Sequence, residues 1–170
     1  MAEPGDHPSA FWQFSLAFYA RPTVADACLQ LQDSTGVDVN LLLYLLFIAT
    51  QNRQIDRNDV THLDTQVKTW REQAVLPLRT LRRRLKTGIE PLPVTTTEAL
   101  RSAIKRSELD AEHIEQDLLQ QSAPASTLGI AATSPSIAAR ANVAAYGAFL
   151  GGLPDSPVKI LLDAYTQFRP

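Results

Sequence analysis

The sequence holds a single cysteine, Cys28, so no disulfide can form within the chain. The residue falls on the apolar side of a predicted helix, where a thiol acts as a small hydrophobe. A thiolate nucleophile needs an activating neighbour, and the sequence around Cys28 offers none. An excess of either charge is also missing. Sixteen Lys and Arg stand against 18 Asp and Glu, a formal net charge of −2. That balance gives no bulk attraction to nucleic acid or acidic membranes, so such a partner would need a local patch. Long apolar runs are absent too. The longest is Leu41 to Ala49, whereas a membrane span takes about 20 residues. The start, MAEPGDHPSA, has neither the basic nor the apolar segment of a secretory signal. These absences predict a soluble, cytoplasmic protein without a transmembrane segment.

Sustained period-two alternation is lacking, which excludes a substantial sheet. No internal repeat recurs at solenoid spacing. There is no G-x-S-x-G, P-loop or G-x-G-x-x-G segment. The aspartate-rich DDxxD motif of all-α isoprenoid synthases is missing as well.

What remains is helical. Hydrophobic residues make up 45% and charged residues 20%, ordinary for one globular domain. Ser9 can cap a first helix over about 10–20, rich in Phe11, Trp12, Phe14, Phe18 and Tyr19, and Arg21-Pro22 ends it. A second, over about 23–34, starts at a Thr23–Asp26 capping pair, presents Val24, Cys28 and Leu31, and stops at Gly36. Asp38 then caps a helix over 39–51 that is apolar on every side. A helix with no polar face must be wrapped by others, so it marks the centre.

Asp56 opens the next helix, whose Val60, Leu63, Val67, Trp70 and Ala74 recur in 3-4-3-4 steps. Pro77 breaks or kinks it. A short helix over about 77–87 buries Leu78, Leu81 and Leu85. After a proline-containing loop over 88–96, Thr95 and Glu98 form a capping box. The helix that follows runs to Gln121 with Leu100, Ile104, Ser107, Ala111, Ile114 and Leu118 on its inner side. Residues 122–134 have no amphipathic period and read as a flexible linker. Two helices close the chain, one alanine-rich over about 135–150, the other from Ser156-Pro157 with Val158, Leu161, Leu162, Tyr165 and Phe168 inward. The expected architecture is all-α, seven or eight helices around 39–51. Its parts are a core over 9–121, the linker over 122–134, and a docked pair over 135–170.

The block FWQFSLAFYARPTVADACLQLQDSTGVDVNLLLYLLF, a later tryptophan (Trp70) and PLRTLRRRLK resemble, as a set, an uncharacterised family of small bacterial proteins known only as a domain of unknown function. The likeness spans roughly 11–150 and is most specific at 32–40 and 77–86. It implies a bacterial, intracellular protein and carries no activity, cofactor or site residue.

The strongest functional lead is basic. Lys68, Arg71, Arg79, Arg82, Arg83, Arg84 and Lys86 face one acid, Glu72, in that stretch. Arg79, Arg82, Arg83 and Lys86 fall within an arc of about 100° on a helix. Guanidinium groups bind phosphate and carboxylate in forked fashion. The row, with Lys68 and Arg71, therefore suits an acidic protein surface. It could equally be a solvated face, or pair with Glu98, Glu108, Glu112 and Glu115. Without interleaved aromatics or a recognised motif, nucleic acid is disfavoured. A second candidate is the turn over 32–40, where Asp33, Asp38 and Asn40 could line a small polar pocket or simply cap and brace backbone. Asp59-x-x-His62 and Asp110-x-x-His113 echo the spacing of helical di-iron sites, but both histidines point off their helices' apolar stripes, so no metal is expected. His7 lies in a polar tail.

The first expectation is therefore a non-enzymatic interaction module with neither catalytic residues nor cofactor. The second is a small-molecule or lipid-binding domain with a cavity between the aromatic first helix and 39–51. An enzyme using Asp33, Asp38 and an arginine, or a nucleic-acid binder, comes third.

Overall fold

The computed structural model describes residues 9–168; His7 lies outside them. The chain is all-α. Helices α1 (Ala10–Tyr19), α2 (Val24–Thr35) and α3 (Val39–Thr50) are followed by a short strand β1 (Arg53–Gln54). Next come α4 (Arg57–Trp70), a π-helical turn (Arg71–Val75), α5 (Leu76–Thr87) and α6 (Val94–Ser122). Strand β2 (Ile130–Ala131), α7 (Pro135–Leu150) and α8 (Asp155–Gln167) complete it.

The α3 helix is the hub. Asn40 through Leu46, Ile48 and Ala49 are all buried, and α7, α6 and α1 pack around them. Close approach of α7 depends on its small residues. Ala138 and Ala139 are fully buried, so two backbones meet where larger side chains would hold them apart. Asn142, also fully buried, accepts from the Ile55 N–H at 2.8 Å and donates to the Leu45 and Arg53 carbonyls. Asn142 thereby ties the middle of α3 to the chain around β1.

Local cap chemistry holds at most predicted ends. Ser9 accepts from the Trp12 N–H, and Asp38 from the Asn40 and Leu41 N–H groups. Asp56 and Asp59 form a reciprocal capping box, and Ser134 accepts from the Ile137 N–H ahead of Pro135. Gly36 closes α2 at φ 69°. Two expected caps do not form. Thr23 has φ 70° with its hydroxyl turned to the Pro22 carbonyl. Helix α6 starts earlier than Thr95, and Glu98 pairs with Arg101 instead.

Pro77 neither breaks nor ends the helix. The turn before it widens to π-helical, which accommodates a ring lacking an N–H and crowding the preceding carbonyls. The α4–π–α5 segment is thus one rod, and the described chain has seven helices on that count. Leu85 is buried, but Leu81, expected inside, is 42% exposed.

The stretch expected to be a loose linker is tied down along its length. Ala123 and Ala125 are buried in the core. The Tyr44 hydroxyl donates to the Ala123 carbonyl, and Arg53 donates to the Leu128 and Gly129 carbonyls. β2 pairs antiparallel with β1, Arg53 opposite Ala131. Gly129 has φ 59°, and a Cβ there would meet the Gln54 carbonyl oxygen at 2.1 Å. Periodicity missed the segment because a two-residue ribbon has none.

Candidate functional site

The rod α4–π–α5 carries the predicted basic row, and α6 lies alongside it. Glu108 and Glu112 of α6 face α5 one turn apart. Arg79 Nε donates to Glu108 Oε1 at 3.0 Å, and its Nη atoms donate to Glu112 at 2.6 Å and to Gln32 at 2.7 Å. Arg82 chelates both oxygens of Glu108. Arg71 bridges Asp38 and Asp64, each at 2.7 Å. The expectation of an open row is therefore corrected for Arg71, Arg79 and Arg82. Their side chains are 16%, 15% and 25% exposed, and a guanidinium that deeply placed needs partners. Arg83 pairs with Asp33 at 3.0 Å on the exposed surface. Lys68 and Lys86 are exposed, and their side chains make no hydrogen bond or ion pair among the described residues.

The polar turn does not form one pocket. Asp33 points outward to Arg83. Asp38 is 8% exposed and surrounded by the Asn40 and Leu41 N–H groups and Arg71. Asn40 reaches Asp38 through Glu115, whose carboxyl neighbours both. Its amide opens a chain of buried hydrogen bonds: the Ser15 hydroxyl donates to Gln116 Oε1 at 3.0 Å, Gln116 Nε2 to Asn40 Oδ1 at 2.9 Å, and Asn40 Nδ2 to Glu115 Oε2 at 2.9 Å.

Glu115 ends that chain, fully buried. Burial and the neighbouring Asp38 carboxylate push its carboxyl up to about 10, so it keeps its proton at neutral pH. Its second oxygen, Oε1, is buried without a hydrogen-bond partner among the described residues. Glu108 behaves oppositely. Burial raises it, but hydrogen bonds from Arg82 and Arg79 outweigh burial and hold it below the usual carboxylate range. In Glu112 burial prevails over Arg79, and its carboxyl is raised.

Between α1, α2, the start of α3, α5 and α6 lies a groove of about 810 Å³. Its walls are apolar: Trp12, Leu16, Leu29, Val39, Leu43 and Leu109. Leu16, Leu29 and Leu109 remain 51%, 42% and 48% exposed. Ser15, Asn40 and Gln116 form a polar floor. Arg79, Arg82, Arg83, Lys105 and Arg106 line it against two carboxylates, Glu108 and Glu112. The side chains of Lys105 and Arg106 make no hydrogen bond or ion pair among the described residues.

Residues 10–119 match the model of a protein family described as a protein of unknown function, DUF2390. The chain belongs to this family. No curated protein and no solved structure matches it. Both parts singled out for the resemblance, 32–40 and 77–86, fall inside the DUF2390 match, which stops before the segment that follows α6.

The DUF2390 region thus contains the groove and the ion-pair clusters, including residues that sequence reasoning passed over. Gln116, Lys105 and Arg106 draw no expectation from the sequence, and Glu115 only that of pairing with the arginine row. A usable signal was available: Ile104, Glu108, Ala111, Glu115 and Leu119 recur in 4-3-4-4 steps, a stripe visible only if acids are admitted to it. All five are buried. Leu100 and Ile114, assigned inward, are 54% and 45% exposed. Among the described residues no group of three or more His, Cys, Asp or Glu is arranged to hold a metal. His113 stacks on Trp12 at 4.0 Å, and His62 is exposed. Burial pushes the Cys28 thiol up to about 12, well away from nucleophilic use. No described helix is long and apolar enough to cross a membrane.

Proposed function

We propose that the protein is a binding domain for a small anionic amphiphile, seated in the groove beside α1. The observation that carries this reading is the pairing of an apolar wall with unspent cations. Leu16, Leu29 and Leu109 offer contact area that water now covers, and Lys105 and Arg106 stand at the same groove without partners among the described residues. A volume of about 810 Å³ lies within the roughly 300–1,000 Å³ usual for ligand sites. A carboxylate or phosphate head would meet Lys105, Arg106 and Arg83, while an alkyl tail would cover Leu16, Leu43 and Trp12. The location is the one expected for the second function above, between the aromatic helix and α3. The acidic protein surface expected first has less support, because Arg71, Arg79 and Arg82 are occupied. A bacterial, cytoplasmic setting belongs to the same reading.

Calorimetric titration with dodecyl phosphate and dodecanoate, below their micelle concentrations, tests it. Saturable one-to-one binding is expected. Lys105→Glu with Arg106→Glu should weaken it about tenfold or more with the melting temperature unchanged. Absence of binding, or binding indifferent to that double variant, would remove the proposal.

A further inference from the structure

The tip of the α5–α6 hairpin lies outside that groove and has its own composition. Residues 89–96 are exposed throughout, and three of them are large and apolar: Ile89 at 41%, Leu92 at 49% and Val94 at 41%. Leu81 and Leu100, farther back along the two helices, are 42% and 54% exposed. Solvated loops ordinarily carry polar residues, and clustered exposed apolar side chains mark interaction sites.

Its backbone is suited to leaving water. Pro91 and Pro93 have no N–H to desolvate. The Leu92 N–H returns to the Ile89 carbonyl at 2.8 Å, and Ile89 and Leu92 form an antiparallel bridge. Shortly before the loop, the last turns of α5 carry Arg82, Arg83, Arg84 and Lys86. Arg84 and Lys86 are exposed and make no side-chain hydrogen bond or ion pair among the described residues. One carboxylate, Glu90, lies in the loop and opposes them; Glu98 is taken by Arg101 at 2.6 Å.

We infer that this tip docks on an anionic lipid bilayer, with Ile89, Leu92 and Val94 entering the interface and Arg84 and Lys86 meeting headgroup phosphates. Apolar insertion and basic flanks are the two signals that together hold a protein on such a surface. A second copy of the chain is a poor occupant, because tip-to-tip contact would bring the arginine clusters together. The net charge of −2 gives the molecule no bulk attraction to an anionic bilayer, so the attraction comes from local cations such as Arg84 and Lys86.

The test is sedimentation with vesicles of phosphatidylglycerol and phosphatidylcholine in equal parts, beside vesicles of phosphatidylcholine alone. The full chain should bind the anionic vesicles at least tenfold better, and salt should weaken binding. Ile89→Asp with Leu92→Asp, both at exposed positions, should cost at least tenfold without changing the melting temperature or dodecyl phosphate binding. Arg84→Glu with Lys86→Glu should do the same, whereas Glu90→Gln should strengthen binding. Failure to bind anionic vesicles overturns the proposal. So does a tip variant that binds as well as the parent, which would reveal surface adsorption alone. Capture of polyglutamate through these residues, with no vesicle binding, would assign the tip to an acidic protein instead. The groove reading stands or falls separately, since its ligand is titrated without vesicles.

Discussion

Glu108 and Glu115 lie two turns apart on one face of α6, 5% and 0% exposed, yet they hold their protons differently. Glu108 is chelated by Arg82 and Arg79 and is held ionised. Glu115 meets an amide and another carboxylate and stays protonated. Burial is common to both, so burial does not decide the charge. The cation count around each carboxyl does. The outer cluster is an ion-pair clamp between α5 and α6. The inner one is a neutral hydrogen-bond chain that links α1, α3 and α6 through Ser15, Gln116 and Asn40.

The largest effect should come from removing the clamp's central cation. Arg79→Met leaves the half-buried Glu112 without its guanidinium and the buried Glu108 with Arg82 alone. Stripping one side of a fully buried pair costs about 3–5 kcal/mol, and this partly exposed pair should cost about 1–3 kcal/mol, readable as a lower urea midpoint at pH 7. A loss below 1 kcal/mol would mean that the pairs are solvated in practice.

Glu115→Gln sharpens the comparison in the opposite direction. Because the folded carboxyl is raised from 4.5 to about 10, the native state binds a proton that the unfolded chain releases between those values. Its contribution is therefore complete below pH 4.5 and declines as pH rises toward 10. Glutamine keeps the shape and the neutral state without that decline. The variant should be more stable than the parent at pH 8 by on the order of 1 kcal/mol or more, with a flatter pH profile. Destabilisation at pH 8 would show Glu115 to be ionised.

Glu108 titrates the other way. Its folded carboxyl is depressed from 4.5, so its contribution is present above that value and is lost as pH falls through the lower folded one. Unfolding of Glu108→Gln between pH 5 and pH 3 should show a shallower acid slope than the parent's. An unchanged slope would place acid sensitivity elsewhere. The smallest effect belongs to Arg83→Ala. Its pair with Asp33 has side chains 49% and 59% exposed, and such pairs contribute about 0–1 kcal/mol. Thermal melting should move little, while the variant's affinity for dodecyl phosphate should fall.

Much of the fold was legible. The all-apolar run at 41–49 had to be central, and Ser9, Asp38 and Asp56 had to cap helices, because a few adjacent side chains set those outcomes. The site was less legible for a definite reason. Ser15 and Gln116, like Asn40 and Glu115, are far apart in sequence, so their contact leaves no local spacing to read. Apolar periodicity located the inner side of α6 only in part, since it discounts acids that a distant arginine allows inside. Pro77 does interrupt the regular α-helix, but the turn before it widens to π-helical and the helix continues, an accommodation that the apolar spacing does not reveal.

Residue order along the chain was enough to dictate the helices, their caps and the burial of α3, all governed by groups within one or two turns. Which arginines are occupied and which cations remain for a ligand was settled by packing alone. A charge's fate depends on what surrounds it in space, and Coulomb energy in a dry interior responds to a neighbour at 3 Å whether it is four residues away or seventy.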